Sequence, residues 1–176
     1  MIGDFEDFKT DIDDIRDFPQ KGVVFRDITP LLSRRFSDVI DSMQSLFSDK
    51  ELEDIEAFAG LDARGFIFAG ALAERCGKQM IPIRKSGKIP PPFLAQEYEL
   101  EYGKACVEVK PGSARIAIVD DLLATGGSMQ AAAQLCQRAG YEIMALACLI
   151  DLTFLNDFEW QGHRVRSVLQ YSDNES

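Results

Sequence analysis

Apolar residues along this chain recur in two rhythms, and the points where one gives way to the other outline its elements. Phe5, Phe8, Ile12 and Ile15 return at helical spacing and Pro19 closes the segment, so the pattern predicts an amphipathic helix with an acidic outer face. Gly22 then turns the chain into the strand-like Val23, Val24 and Phe25. A second helix is predicted from Thr29 and Pro30 to about Phe47, with Phe36, Val39, Ile40, Met43 and Phe47 facing inward. Residues 55–61 read as a strand leading into Asp62-Ala63-Arg64-Gly65, followed by a helix to Cys76 that Gly77 stops. Residues 80–83 form another short apolar strand.

Residues 84–97 break both rhythms. Three consecutive prolines, two lysines and a glycine exclude a helix and make a poor strand, which in a compact domain marks a functional or disordered loop. Beyond it, residues 98–102 and 104–109 alternate as a hairpin about Gly103, Pro111-Gly112 turns the chain, and residues 116–119 form an apolar strand. A helix starting near Ser128 puts Met129, Ala132, Ala133 and Cys136 on one face and ends at Gly140. Residues 143–150 supply a last central strand and 166–169 an edge strand. This succession predicts an α/β fold: a mainly parallel sheet, helices on both faces, right-handed crossovers and loop sites along one edge. With no repeat or linker, residues 1–176 read as one domain with a small lid over about residues 84–97.

The most informative run is IAIVDDLLATGGS, residues 116–128. A parallel strand is apolar on both faces, so Asp120 and Asp121 mark its carboxyl edge, where open α/β sheets bind ligands. Ala124, Thr125, Gly126, Gly127 and Ser128 then offer closely spaced backbone N–H groups and a helix start, which suit a monophosphate. No lysine follows the glycines, so the nucleotide P-loop pattern fails, as does the dinucleotide fingerprint. Carboxylates beside an anion site make sense if the ligand carries hydroxyls. Asp120 and Asp121 then accept from a vicinal diol while the loop holds the phosphate of a phosphorylated sugar.

Composition narrows the partners. A net charge of −10 argues against a nucleic-acid backbone binder and requires basic residues to gather at the pocket, with Arg26, Arg64, Arg84, Lys85 and Lys88 as candidates. The 176 residues, 46% hydrophobic, suffice for one core. Cys76, Cys106, Cys136 and Cys148 form no Cys-x-x-Cys pair and His163 is the only histidine, so the cysteines read as buried thiols. His163 and Trp160 receive no functional role. No apolar leader or membrane-length run is present, and a cytoplasmic location without membrane contact is expected.

The 116–128 run resembles the 5-phosphoribosyl-1-pyrophosphate (PRPP) motif of type I phosphoribosyltransferases, and other segments narrow the resemblance to the adenine phosphoribosyltransferase family. Asp62, Ala63, Arg64 and Gly65 are similar to the loop that binds the leaving pyrophosphate, often through a non-proline cis peptide. Residues 84–104 resemble the family's flexible hood loop, with Leu-Glu-Tyr-Gly-Lys at positions 100–104. The resemblance makes Glu101 the catalytic carboxylate that handles the purine proton, with Tyr102 positioning the loop or contacting the pyrophosphate and Lys88 and Arg84 closing over the pyrophosphate. Residues 22–27 are similar to the purine-binding segment, which implies main-chain contacts from Val24 and Arg26, a stacking ring at Phe25 and an added ring-nitrogen contact from Arg26. Relatives that use 6-oxopurines carry a third acid where this chain has Ala124, and uracil-using relatives replace the second acid with proline. The implied reaction transfers the phosphoribosyl group of PRPP to adenine, giving AMP and pyrophosphate. Mg²⁺ would be held mainly through substrate and water, with no direct protein ligand, and the enzyme would act as a homodimer.

Overall fold

The computed structural model describes residues 5–100 and 103–172. A 3₁₀ turn at Glu6–Asp11 leads into β1 (Asp13–Arg16) and β2 (Val24–Asp27), which pair antiparallel. There follow α1 (Thr29–Gln44), α2 (Asp49–Asp54), β3 (Ala57–Leu61), α3 (Gly65–Cys76), β4 (Gln79–Lys85), the hairpin β5 (Leu94–Leu100) and β6 (Gly103–Val109), and β7 (Arg115–Leu123). The chain closes with α4 (Gly127–Arg138), β8 (Glu142–Leu152), a small ribbon of β9 (Glu159–Trp160) and β10 (His163–Arg164), and β11 (Arg166–Tyr171).

Seven strands form the main sheet in the order β11-β8-β7-β3-β4-β6-β5. From β11 to β4 every neighbouring pair is parallel; β6 and β5 run antiparallel and extend the sheet as a hood. Alternation along β7 divides the core. Ala117 and Val119 face the layer built from α1 and α3 with Phe8, Leu31, Val39, Ile40, Met43, Phe68 and Leu72. Ile116 and Ile118 face the layer of α4, with Met129, Ala132, Leu135 and Cys136. Burial on both faces explains why this strand is an unbroken apolar run.

Several expectations change in detail. The amino-terminal segment is not a helix through Ile15: Phe8 and Ile12 are buried, but Ile15 is 43% exposed and lies in β1 opposite Phe25. Pairing with β2 captures residues 13–16 after the helical spacing has been satisfied by two inward side chains. Phe36 is likewise 41% exposed, because α1 is kinked at Arg35 (φ −133°) and the kink shifts the phase of the helix between Leu31 and Val39. The short α2 was not anticipated, although Ser48 and Glu51 form a reciprocal capping box at its start. Strand pairing also reaches further than the prolines suggest, since Leu94, Ala95, Gln96 and Glu97 already lie in register with Val109, Glu108, Val107 and Cys106. The segment without strand between β4 and β5 is residues 86–93.

Candidate active site at the carboxyl edge of the sheet

Two strand-to-helix junctions meet at the carboxyl edge of β3 and β7, which are parallel neighbours. At the end of β7, Asp121 is buried and its backbone N–H donates to Asp120 Oδ1 at 2.9 Å. Burial, and then the adjoining Asp121 charge, push the Asp120 carboxyl well above the usual carboxylate range. Arg64, at the start of α3, places Nη2 2.8 Å from Asp121 Oδ2, so an ion pair ties the two junctions together. The same guanidinium lies 5.2 Å from the centroid of the Phe25 ring. Asp27, two residues on, is held below the ordinary range mainly by hydrogen bonds from Thr29, with a smaller contribution from Arg64. Arg64 therefore stands where the β2 segment, the β3 junction and the β7 junction converge.

Close approach explains the glycine at the head of α3. A Cβ added to Gly65 would lie 2.9 Å from the Val119 carbonyl oxygen and 3.0 Å from Asp120 Oδ1. The preceding peptide, Asp62–Ala63, is cis. Asp62 accepts from the Lys85 backbone N–H at 3.3 Å and faces Arg84 Nε at 3.4 Å, which draws the end of β4 to the same edge. Lys88 is exposed in the following loop. Its base is anchored by the buried Glu108 of β6, whose Oε1 accepts from Gly87 N and Ser86 Oγ, both at 2.9 Å. The Gly87 amide above all, then Ser86, holds the Glu108 carboxyl below its ordinary range.

After β7, Ala124 and Thr125 lead to Gly126, which takes φ +85° as the N-cap of α4. No side chain caps this helix, which leaves its first-turn N–H groups, unpaired within any α-helix, available to an anion. Gly126 also packs against Phe158, whose Cβ would be 2.7 Å from an added Cβ. Ser128 Oγ lies 3.4 Å from the Tyr98 hydroxyl, which brings β5 against the start of α4. Asn156 donates to the Ala124 carbonyl at 2.8 Å.

The sequence-derived candidates thus fall into groups. Asp120, Asp121, Arg64 and Phe25 are in direct contact or within cation–π distance, Asp62 and Arg84 join them through the β3 and β4 ends, and Ala124, Thr125, Gly126, Gly127 and Ser128 form the turn beyond Asp121. Val24 lies beside Phe25 in β2. Arg26 turns its buried guanidinium away, onto Asp14 and over the Tyr171 ring at 4.4 Å, leaving its main chain as what it can offer a ligand. Glu101 and Tyr102 lie outside the described residues. Sequence reasoning missed Glu108 and Asn156. An acid between Val107 and Val109 was a signal for the former; a lone Asn between Leu155 and Asp157 was none for the latter. Among the described residues no three His, Cys, Asp or Glu side chains converge into a metal cluster. The hard carboxylate oxygens of Asp120 and Asp121 suit a hydrated divalent ion carried on substrate oxygens.

Comparison with known proteins points to one family. A family model for the phosphoribosyl transferase domain matches residues 31–153. The adenine phosphoribosyltransferase of Hydrogenovibrio crunogenus is 48% identical over 160 residues, covering 90% of this chain and 93% of that protein. The crystal structure of adenine phosphoribosyltransferase from Thermoanaerobacter pseudethanolicus superposes with a TM-score of 0.84 at 36% identity, over 94% of this chain and 99% of the other. The Saccharomyces cerevisiae enzyme, solved with an imino-altritol bisphosphate and adenine, gives a TM-score of 0.82 at 29% identity, over 93% and 97% of the two chains.

Proposed function

Because the chain belongs to the adenine phosphoribosyltransferase family, with the type I phosphoribosyltransferase fold, we propose that it transfers the 5-phosphoribosyl group of PRPP to adenine, releasing pyrophosphate and forming AMP. The observation that carries this reading is the Arg64–Asp121 ion pair, which joins a pyrophosphate-type turn to a ribose-phosphate turn with an aromatic ring at the same guanidinium.

In this reading the amides of residues 124–128 hold the 5′-phosphate, while Asp120 and Asp121 meet the ribose hydroxyls. Burial raises the Asp120 carboxyl, and Arg64 stays paired with Asp121 beside it. The turn of Asp62, Ala63, Arg64 and Gly65, with Arg84 and Lys88, binds pyrophosphate by charge-assisted hydrogen bonds. Departure of pyrophosphate leaves oxocarbenium-like charge on the sugar, and closure of the loop at residues 86–93 over the site excludes water from that centre. Adenine lies against Phe25 and is read by the main chain of Val24 and Arg26. Glu101 accepts the proton lost from the purine ring nitrogen, and Tyr102 steadies the loop that carries it.

Beside Asp120 and Asp121, Mg²⁺ would be held mainly through substrate and water and would supply charge neutralisation of the leaving pyrophosphate. A homodimer and a cytoplasmic role in purine salvage complete the proposal. None of the described helices is long and apolar enough to cross a membrane, and the acidic surface disfavours nucleic acid. Incubation of the purified protein with PRPP, Mg²⁺ and adenine, hypoxanthine, guanine or uracil separately tests the assignment. AMP alone should form at an appreciable rate; turnover confined to a 6-oxopurine, or none with any base, would refute it.

A further inference from the structure

Asn156 lies in the segment after β8, outside every motif used so far, yet its carboxamide reaches the loop beyond Asp121 at the Ala124 carbonyl. The two N–H donors of Nδ2 are shared among the Ala124 carbonyl at 2.8 Å, Asp151 Oδ1 at 3.0 Å and the Leu152 carbonyl at 3.1 Å, and its Oδ1 accepts from the Phe158 N–H at 3.2 Å. Phe158, oriented by that last bond, packs on Gly126, the positive-φ residue that opens α4. Two side chains of one short segment thus bear on consecutive parts of the 124–127 turn.

We propose that Asn156 is a positioning residue for the 5′-phosphate: by holding the Ala124 carbonyl inward it turns the Thr125 N–H outward, into the phosphate cradle. The peptide between Ala124 and Thr125 is not among the cis bonds, and in a trans peptide the C=O and N–H point in opposite directions. A carbonyl fixed at one face therefore aims the amide of the next residue at the other. Without the donor, the Ala124 carbonyl is free to swing toward the incoming phosphate, where its lone pairs would oppose an anion. The inference rests on the reading of residues 124–128 as the phosphate site.

The test uses the full chain, with ¹⁵N-labelled protein titrated with ribose 5-phosphate and with steady-state kinetics in PRPP and adenine. Asn156→Ala removes the donor; Asn156→Asp keeps the acceptor for the Phe158 N–H but offers no N–H to Ala124. Both should weaken ribose 5-phosphate binding about tenfold and raise KM for PRPP similarly, with KM for adenine unchanged. Thr153→Ala controls for a merely loosened segment, because it loses a hydrogen bond from the same stretch to the Tyr171 carbonyl and should bind ribose 5-phosphate as the parent does. Wild-type affinity in both Asn156 variants, or an equal loss in Thr153→Ala, would overturn the proposal. If ribose 5-phosphate leaves the amides of residues 125–128 unmoved in the parent protein, the phosphate-site reading itself falls and the proposal with it.

Discussion

Replacing Gly65 with alanine tests whether the two junctions must touch. The new Cβ would sit 2.9 Å from the Val119 carbonyl and 3.0 Å from Asp120 Oδ1, and the first of these belongs to a central strand that cannot give way. Helix α3 must then back off β7 by a few tenths of an ångström. Overpacking of this kind costs about 1–3 kcal/mol, offset by up to about 1 kcal/mol from the better helix propensity of alanine. The net loss is about 1–2 kcal/mol, a fall in melting temperature of roughly 2–8 °C for a chain of this size. Arg64 is the adjoining residue, so the same retreat lengthens its contact with Asp121 and should lower kcat/KM for PRPP by about tenfold, given that misplacement by 1 Å can cost about 10². Gly70 provides the matched control, because it lies in the same helix with nothing within 4 Å of an added Cβ. Gly70→Ala should gain up to about 1 kcal/mol and leave the rate unchanged. Thermal melts and initial rates of pyrophosphate release read both quantities. If Gly65→Ala matches Gly70→Ala in stability and rate, close approach of the two loops plays no part in the site.

Two further outcomes follow from named groups. Glu101→Gln should reduce turnover by about 10² to 10⁴ while PRPP affinity, measured by equilibrium binding, stays near that of the parent; an unchanged rate removes Glu101 from proton transfer. Glu51, whose carboxyl is held down to about 2 by the Arg166 guanidinium against an ordinary 4.5, stabilises the fold fully above about pH 4.5 and loses that contribution as pH falls toward 2. Because both partners are about a third exposed, solvent screening limits the effect to about 1 kcal/mol. Glu51→Gln should melt about 2–4 °C lower at neutral pH and converge with the parent near pH 2; a difference independent of pH would contradict the assignment.

How legible each part was depended on how local its cause is. The β7 strand and its two acids were readable because a run buried on both faces must be apolar until it reaches solvent, and the following glycines have few other uses. Helix α3 was readable for the same local reason, from the turn before Gly65 to the stop at Gly77. The residues at 13–16 were misread because helical spacing and strand pairing compete there, and the partner strand β2, Val24–Asp27, decides the outcome from across a turn. Glu108 and Asn156 were invisible as site residues since their partners, Gly87 and Ala124, lie 21 and 32 positions off. Arg26 shows the converse: its segment was identified, but Asp14 and Tyr171 claim its side chain.

Phosphoribosyl transfer at this site depends most on the carboxylates at the end of β7 meeting the ribose of PRPP. Calorimetric titration of PRPP in the presence of Mg²⁺, into the parent protein and into Asp120→Asn/Asp121→Asn, measures that directly. Saturable heat with the parent and affinity weakened by at least about tenfold in the double variant is the expected result. No heat with the parent, or equal affinity in both, would contradict it.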